Sequence, residues 1–276
     1  MATGNRLTNK VALITGSSSG IGRAIALRYA AEGAKVICAD LSPAPRVAIL
    51  KDPSAQAAPE ARPTHELIGP GSAAFVQTDV GEAAAVENAV HFAVMTFGRL
   101  DVMVNNAGIA PEARSMGPIH EQQDDVWDLT MRVNAKSVYL GCKFAIRQML
   151  AQEPHGSGDR GWIVNMSSIM GTVATHWAPS YCASKGAVSS LTRQVALDYA
   201  THRIHCNAVC PGFTETAILE ETTSFGPTPQ MLAERHPFGG VGTPEDIAKV
   251  AVLLASDDAS WITGVNLPVD GGYIIQ

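Results

Sequence analysis

The chain has 276 residues, of which 46% are apolar and 17% are charged, and its formal net charge is −6. This composition indicates a globular protein with a substantial core, and the acidic balance argues against a nucleic-acid partner. No apolar run approaches the roughly 20 residues that a membrane span needs, and the five cysteines lack both CxxC spacing and a disulfide pattern. We therefore expect a cytoplasmic protein with no membrane partner and no bound metal.

Helical and strand-like patterns alternate from Val11 to the end of the chain. Such alternation predicts an α/β fold, in which buried parallel strands are joined by helices. The stretch dense in proline, residues 41–72, lies too early to separate two folding units. We predict one domain over residues 1–276.

The first motif is a glycine-rich turn between a strand and a helix. Residues 11–14 form a short apolar run typical of a buried strand, and residues 21–31 have a helical pattern. Between them lie Gly16, Gly20 and Gly22, where a backbone can turn tightly and approach a pyrophosphate at the start of the helix. A P-loop is excluded because no Lys-Ser or Lys-Thr pair follows these glycines.

A second predicted strand, residues 33–40, ends in Asp40. A carboxylate at this position can accept both hydroxyls of an adenosine ribose and would repel a 2′-phosphate. Neither Ala39, Leu41 nor the serines of the glycine loop supplies the basic group that a 2′-phosphate needs. The pattern favours NAD over NADP, although an acid at a strand end can also be merely solvated.

Two later strand candidates also end in polar residues. Residues 100–104 lead into the Asn-Asn-Ala-Gly segment 105–108, and residues 162–166 lead into Ser167 and Ser168. Ligands bind at the carboxyl ends of strands in doubly wound sheets, so Ser168 could hydrogen-bond a substrate oxygen. A serine hydrolase is disfavoured because Ser168 has no Gly-x-Ser-x-Gly context and no histidine is anchored by a motif.

Tyr181 and Lys185 are four residues apart in a helical pattern, which places a phenol and an ammonium on one helix face. A free tyrosine has a pKa near 10, and a close cation favours its phenolate. The pair is therefore a candidate proton-transfer device. Taken alone, the same spacing more often belongs to an ordinary helix surface.

The glycine loop, residues 105–108, Ser168 and the Tyr181/Lys185 pair, in this order, make the chain resemble the short-chain dehydrogenase/reductase family. The resemblance implies a three-layer, doubly wound Rossmann fold with a mostly parallel seven-stranded sheet and helices on both faces. It implies that Ser168 orients the substrate oxygen, that Tyr181 exchanges the proton, and that Lys185 lowers the pKa of Tyr181 and binds the nicotinamide ribose. Asn134 is the implied support of a relay water.

The resemblance also implies a set of cofactor contacts along the carboxyl edge of the sheet. These contacts come from the glycine loop, the ends of the second, third and fourth strands, the catalytic helix and the loop after the sixth strand. The residues are Gly16, Ser18, Ser19, Gly20, Ile21, Gly22, Asp40, Leu41, Asp79, Val80, Asn106, Ala107, Gly108, Tyr181, Lys185, Pro211, Gly212, Thr214 and Thr216.

The implied activity is the NAD-dependent interconversion of a small secondary alcohol and its ketone, with Tyr181 as acid and base. An NADP-dependent ketoreductase and a redox-neutral epimerase or cyclase are the alternatives. A non-catalytic dinucleotide-sensing scaffold is disfavoured because Ser168, Tyr181 and Lys185 are all present. The family's habit implies a homotetramer or homodimer, for which the apolar end Tyr-Ile-Ile275 is suited.

Substrate identity is expected in residues 111–116, 169–177 and a lid over 213–240. Met170, Trp177, Phe213 and Phe225 could line an apolar pocket there, or they could pack against one another. His176 could contact the substrate or belong to a loop. Arg114 and Arg235 are the basic residues that could bind an anionic group of the substrate.

The proline-dense residues 41–72 are expected to form a surface loop, with a partner contact or a flap over the cofactor as the alternatives. The Thr-Pro-Glu-Asp sequence at 243–246 predicts the start of a structural helix.

Overall fold

The computed structural model describes residues 4–45, 62–114, 116–225 and 227–276. Seven strands form one sheet in the order β3-β2-β1-β4-β5-β6-β7, and every pairing is parallel. The strands are β1 (Val11–Thr15), β2 (Lys35–Asp40), β3 (Ala73–Gln77), β4 (Val102–Asn105), β5 (Gly161–Met166), β6 (Ile204–Pro211) and β7 (Asn266–Val269).

Helices connect and flank these strands. They are α1 (Gly20–Ala31), α2 (Thr64–Ile68), α3 (Ala83–Phe97), α4 (Asp124–Thr130), α5 (Ser137–Ala151), α6 (Pro179–Tyr199), α7 (Ala217–Phe225), α8 (Pro229–Glu234) and α9 (Pro244–Ala255). A π-helical stretch, Met131–Lys136, joins α4 to α5, and short 3-10 turns lie between other elements. None of the helices in the described ranges is long and apolar enough to cross a membrane.

The sheet has a hydrophobic core on each face, because successive strand residues point to opposite sides. In β1, Val11 and Leu13 belong to the core that α3, α5 and α6 cover, whereas Ala12 and Ile14 belong to the core under α1 and α9. All five β1 residues are therefore buried, as the continuous apolar run predicts. The predicted doubly wound α/β fold is confirmed.

Two predicted strands begin too early. The second strand starts at Lys35, because Gly33 has a φ of +92° and belongs to the turn after α1. The strand predicted from Leu100 starts at Val102. There, Asp101 uses its side chain to accept the N–H of Val11 at 2.8 Å. Ala34 and Leu100 are apolar because they are buried beside the sheet.

The proline-dense segment is only partly a loop. Residues 46–61 lie outside the described residues, but α2 follows within the same segment. The buried Thr64 donates its hydroxyl to the Ser17 carbonyl at 2.8 Å, and Arg23 of α1 donates to the Arg62 carbonyl at 2.9 Å. The end of the segment is therefore anchored to the glycine loop.

The start of α9 agrees with its sequence signature. The Thr243 hydroxyl accepts the Asp246 N–H at 3.3 Å, and the Asp246 carboxylate accepts the Thr243 N–H at 3.0 Å. This reciprocal pair is a capping box, which satisfies main-chain donors at a helix start.

Candidate active site

The glycine loop between β1 and α1 is packed too closely for side chains at two of its glycines. A Cβ at Gly22 would lie 2.1 Å from the Gly16 carbonyl oxygen. Gly16 has a φ of +66°, and its Cβ would lie 2.9 Å from the Cα of Ala107. The loop is thus a close-packed turn against β4, as a backbone cradle for a phosphate requires.

The start of α1 suits an anionic group. Ser19 precedes the helix without a side-chain cap, and no acid lies in the first turn. The main-chain N–H groups and the positive end of the helix dipole therefore lie at the loop, an arrangement that is suited to an anion such as a pyrophosphate. Thr216 lies beside it, since a Cβ at Gly20 would be 3.4 Å from its methyl group. Thr214 instead donates its hydroxyl to the Gly212 carbonyl at 3.1 Å.

Thr15 joins the glycine loop to the Asn-Asn-Ala-Gly segment after β4. Its hydroxyl accepts the N–H groups of Asn106 and Ala107 at 3.0 and 3.1 Å. The Asn106 side chain donates to the Thr15 carbonyl at 2.8 Å. The Asn106 side chain therefore holds the glycine loop and the segment after β4 together. The main chain of this segment, rather than the Asn106 side chain, is then available for the predicted cofactor contact.

Asp40 lies at the end of β2, next to the glycine loop. Its carboxylate accepts the Ser18 N–H at 2.9 Å and the Leu41 N–H at 2.8 Å. At the end of β3, Asp79 pairs with Arg132 at 3.3 Å, and the neighbouring Val80 is buried. The predicted adenosine-side residues thus follow adjacent strand ends.

Asn134 lies in the π-helical stretch and is fully buried. Its side chain exchanges two 2.9 Å hydrogen bonds with the N–H and carbonyl of Ile109, and it also donates to the Ser184 hydroxyl at 3.2 Å. A Cβ at Gly108 would lie 3.4 Å from the Asn134 Oδ1 and 3.6 Å from the Lys185 Nζ. The structure therefore brings Gly108, Asn134 and Lys185 together.

Tyr181 and Lys185 share one face of α6. The Lys185 ammonium lies 5.7 Å from the centroid of the Tyr181 ring and donates to the Met166 carbonyl at 2.8 Å. The Ser168 side chain lies close enough to the Tyr181 phenol to affect its pKa, and the Ser168 hydroxyl accepts the Met170 N–H at 3.1 Å. The serine, phenol and ammonium therefore meet at the carboxyl end of β5.

The pKa of Tyr181 departs from its sequence-based expectation. Burial raises the pKa of the phenol, and the hydrogen bond with Ser168 opposes that rise without overcoming it. Burial also lowers the pKa of Lys185 to about 8. Desolvation of both charged forms therefore outweighs the stabilisation of the phenolate that the Tyr181/Lys185 spacing predicts.

A groove of about 350 Å³ lies beside the first turn of α6. Its walls come from the loops before α4 and before α6: residues 117–119 and 174–179, with Cys182 of α6. Trp177 is half-exposed there and has a φ of +64°, a strained backbone value for a bulky residue. His176 lines the groove next to it.

The other expected substrate-side residues have different positions. Met170 is buried, and Phe213 packs edge-on against His236 and Tyr273. The partners of Phe213 are therefore residues outside the expected set, and the expectation that Met170, Trp177, Phe213 and Phe225 line a pocket or pack against one another stays a prediction. The side chain of Phe225 lies outside the described residues.

The two arginines considered for an anionic substrate also have different settings. Arg114 is ion-paired with Glu221 of α7, so its guanidinium already has an anionic partner. Arg235 follows α8, and its carbonyl accepts the side-chain amide of Gln276.

Sequence reasoning did not single out Glu112 or Thr64, because neither stands in a local motif. Both are buried polar residues that act on segments distant in sequence. Across the described residues, no group of three or more metal-ligating side chains is present, and the five cysteines are free.

Comparisons with known proteins agree with this arrangement. A family model described as enoyl-(acyl carrier protein) reductase, which belongs to the short-chain dehydrogenase/reductase family, matches residues 16–274. The chain is 39% identical to 2-(S)-hydroxypropyl-CoM dehydrogenase 3 of Xanthobacter autotrophicus, over 97% of this chain and 98% of the relative. It is 37% identical to 3beta-hydroxysteroid dehydrogenase 2 of Eggerthella lenta, over 97% and 95%.

A third relative, (3R)-3-hydroxyacyl-CoA dehydrogenase of Homo sapiens, is 36% identical over 98% of both chains. The relatives are dehydrogenases of alcohols, and proteins of this family use NAD or NADP. The chain therefore belongs to the short-chain dehydrogenase/reductase family and is an oxidoreductase that acts on CH–OH groups.

Proposed function

We propose that the protein interconverts a secondary alcohol and its ketone with NAD, and that Tyr181 exchanges the hydroxyl proton. The observation that carries the proposal is the meeting of Ser168, Tyr181, Lys185 and Asn134 beside the glycine loop. A phenol, an ammonium and a hydrogen-bonding hydroxyl around one point suit proton transfer to or from a reacting oxygen.

In the oxidation direction, Ser168 holds the substrate oxygen by a hydrogen bond while Tyr181 removes its proton. When bound, oxidised NAD supplies the hydride acceptor and a positive nicotinamide ring. The positive charges of that ring and of the Lys185 ammonium favour the phenolate, and so they oppose the rise in the pKa of Tyr181 that burial causes. Asn134 holds Ile109 and Ser184 in place beside Lys185, which keeps the path for the departing proton ordered.

The preference for NAD over NADP rests on Asp40. Its carboxylate lies at the end of β2 and accepts the Ser18 N–H of the glycine loop. A carboxylate there accepts ribose hydroxyls and repels a 2′-phosphate. The side chain of the next residue, Leu41, is apolar and offers no compensating positive charge.

The proposed substrate is an uncharged secondary alcohol with an apolar body. The groove beside α6 is lined by Ile119, Trp177, Pro179 and other mostly apolar residues. Arg114, the basic residue expected on this side, is ion-paired with Glu221. Apolar walls with few polar groups favour binding through buried hydrophobic area.

A nicotinamide absorbance assay across a panel of alcohols and ketones, run with NAD and NADP in parallel, tests these proposals together. We expect one NADH per ketone formed, with the highest rate on apolar secondary alcohols. Product formation without NADH would indicate the redox-neutral alternative. A higher kcat/KM with NADP would contradict the role of Asp40.

Assembly into a homotetramer or homodimer also stays a prediction. Its support is the exposure of Phe238, Trp261 and Ile275, which are 91%, 94% and 84% exposed. Large apolar side chains that are exposed in one copy are candidates for burial between copies. Light scattering of the purified protein would measure the number of copies, and a monomer at all concentrations would contradict the prediction.

A further inference from the structure

The helix that carries Tyr181 begins without a cap of its own. Ala178 precedes α6 and has no polar side chain, and Pro179 at the first helical position has no N–H. The N–H groups of Ser180 and Tyr181 are the next two donors, and they lack partners inside the helix. Ser180, in the first turn of this 21-residue helix, is only 1% exposed, so its N–H needs a partner within the protein.

Glu112 supplies both acceptors from a distant part of the chain. Its Oε1 accepts the Ser180 N–H at 2.7 Å, and its Oε2 accepts the Tyr181 N–H at 2.8 Å. The Glu112 side chain comes from the 3-10 turn Pro111–Arg114, and the residue is only 2% exposed. A buried carboxyl group with two main-chain donors, placed at the positive end of a helix dipole, holds its partner strongly.

The segment that carries Glu112 contacts two other parts of the site. Ile109, at its start, is bonded through N–H and carbonyl to Asn134. Arg114, at its end, pairs with Glu221 of α7. Residues 109–114 thus join Asn134, the start of α6 and the substrate-side helix α7.

We propose that Glu112 is a positioning residue for the alcohol–ketone reaction. It fixes the main chain of Tyr181 against residues 109–114, so that the phenol keeps its place relative to Ser168 and Asn134. This inference rests on the proposed role of Tyr181. Because reacting groups must be aligned closely, a displacement of about 1 Å can slow a reaction by roughly a hundredfold.

Glu112→Gln tests the inference with little change of shape. The amide oxygen can accept one N–H, but the amide nitrogen then faces the second N–H as another donor. We expect the single-turnover rate of alcohol oxidation to fall by about tenfold or more, with the Kd for NAD within about twofold of wild type. Asp101→Asn is the matched control, because Asp101 is also buried and accepts a main-chain N–H, at the opposite edge of the sheet.

The control should lower Tm and leave the rate per folded molecule unchanged. If Glu112→Gln keeps more than about a third of the wild-type rate while losing Tm as the control does, Glu112 is only a structural cap and the inference is overturned. A larger loss of rate, absent in the control, supports it. Should Glu112→Gln not fold, Glu112→Asp decides by the same threshold, since the shorter carboxylate cannot reach both N–H groups without moving α6.

Tyr181→Phe is measured alongside these variants to separate the two proposals. A wild-type rate in Tyr181→Phe would refute the proposed function itself. An inactive Tyr181→Phe together with an active Glu112→Gln would overturn the positioning role alone.

Discussion

Two buried charged residues at opposite edges of the sheet, Asp101 and Lys185, differ in their partners. At the amino edge, Asp101 is fully buried but has a main-chain donor and two basic neighbours, Arg99 at 2.7 Å and His155 at 2.9 Å. At the carboxyl edge, Lys185 is 5% exposed and donates to a carbonyl. Among the described residues, Lys185 has no carboxylate in ion-pair range.

The amino edge contains a second paired acid. Burial acts to raise the pKa of Asp159, but hydrogen bonds from His205 and Ser157 outweigh it and lower that pKa. Trp162 lies between the rings of His155 and His205, and the Lys10 ammonium is 3.3 Å from its ring centroid. Asp101 and Asp159 therefore each have a basic partner, and neither buried carboxylate is left unpaired.

At the carboxyl edge, the buried Lys185 ammonium has no carboxylate partner among the described residues. The pKa of Lys185 is lowered to about 8 by burial, and burial raises the pKa of Tyr181. Groups held away from their ordinary pKa cluster at sites of proton transfer, and they cost folding free energy. In this fold the buried carboxylates Asp101 and Asp159 have basic partners at the amino edge, whereas the buried Lys185 ammonium lies among the proposed catalytic residues without a carboxylate partner in the described part of the chain.

Lys185→Met removes the buried ammonium that lacks a carboxylate partner, and we expect it to change both turnover and stability. We expect the turnover rate to fall by about a thousandfold, since acid–base catalysis contributes roughly 10² to 10⁴. The variant should nevertheless unfold at a higher temperature than wild type at pH 7. The gain in free energy of unfolding is about 2 kcal/mol, after loss of the hydrogen bond to the Met166 carbonyl.

The pH dependence of that gain follows from the direction of the shift. The folded protein loses the Lys185 proton near pH 8, whereas an unfolded lysine keeps it to a pH of about 10.4. The burial cost is therefore full below pH 8 and disappears as the pH rises through this window. Denaturant unfolding of both proteins at several pH values measures it, and a gain that does not change with pH would contradict the account.

Asp101→Asn should show the opposite behaviour at the amino edge. The variant leaves Arg99 and His155 beside a neutral amide, and breaking a buried pair costs about 3 kcal/mol. Chemical denaturation measures this loss. The rate per folded molecule should stay at the wild-type value, and a rate that falls in step with stability would show that the two edges are not independent.

Asp40→Asn tests a second charged residue at the carboxyl edge of the sheet. The amide keeps one acceptor oxygen but loses the charge that favours ribose hydroxyls and repels a 2′-phosphate. We expect kcat/KM with NAD to fall about tenfold and the ratio of NADP to NAD use to rise. Steady-state kinetics with both dinucleotides decides this, and an unchanged ratio would remove the basis for the NAD preference.

Thr243→Ala changes a helix cap rather than a buried charge, so we expect only a small loss of stability. Loss of the hydroxyl that accepts the Asp246 N–H should lower the free energy of unfolding by about 1 kcal/mol. Thermal unfolding measures it. If Thr243→Ala lowered the free energy of unfolding as much as Asp101→Asn does, the buried ion pairs at the amino edge would contribute no more to stability than an ordinary helix cap.

The sequence predicted the features that depend on local patterns. Continuous apolar runs identified the buried strands, glycine spacing identified the loop before α1, and Thr243 with Asp246 marked the start of α9. The strand starts at Lys35 and Val102 differ from the predicted ones, because Ala34 and Leu100 are apolar and buried beside the sheet and so resemble strand residues.

Long-range contacts could not be predicted in the same way. Glu112 binds main-chain N–H groups 68 and 69 residues away, and no local pattern marks such a pair. The direction of the Tyr181 pKa also depends on burial, which spacing along a helix does not report.

Tyr181→Phe removes the hydroxyl group that is proposed to exchange the substrate proton. The phenyl ring keeps the packing but cannot take the hydroxyl proton. Wild-type and variant proteins are mixed with NAD and an active alcohol, and NADH formation is followed in a single turnover, with NAD affinity measured separately. We expect a rate lower by about a thousandfold, with NAD affinity within about twofold of wild type. A rate near that of the wild type would contradict the assignment of Tyr181.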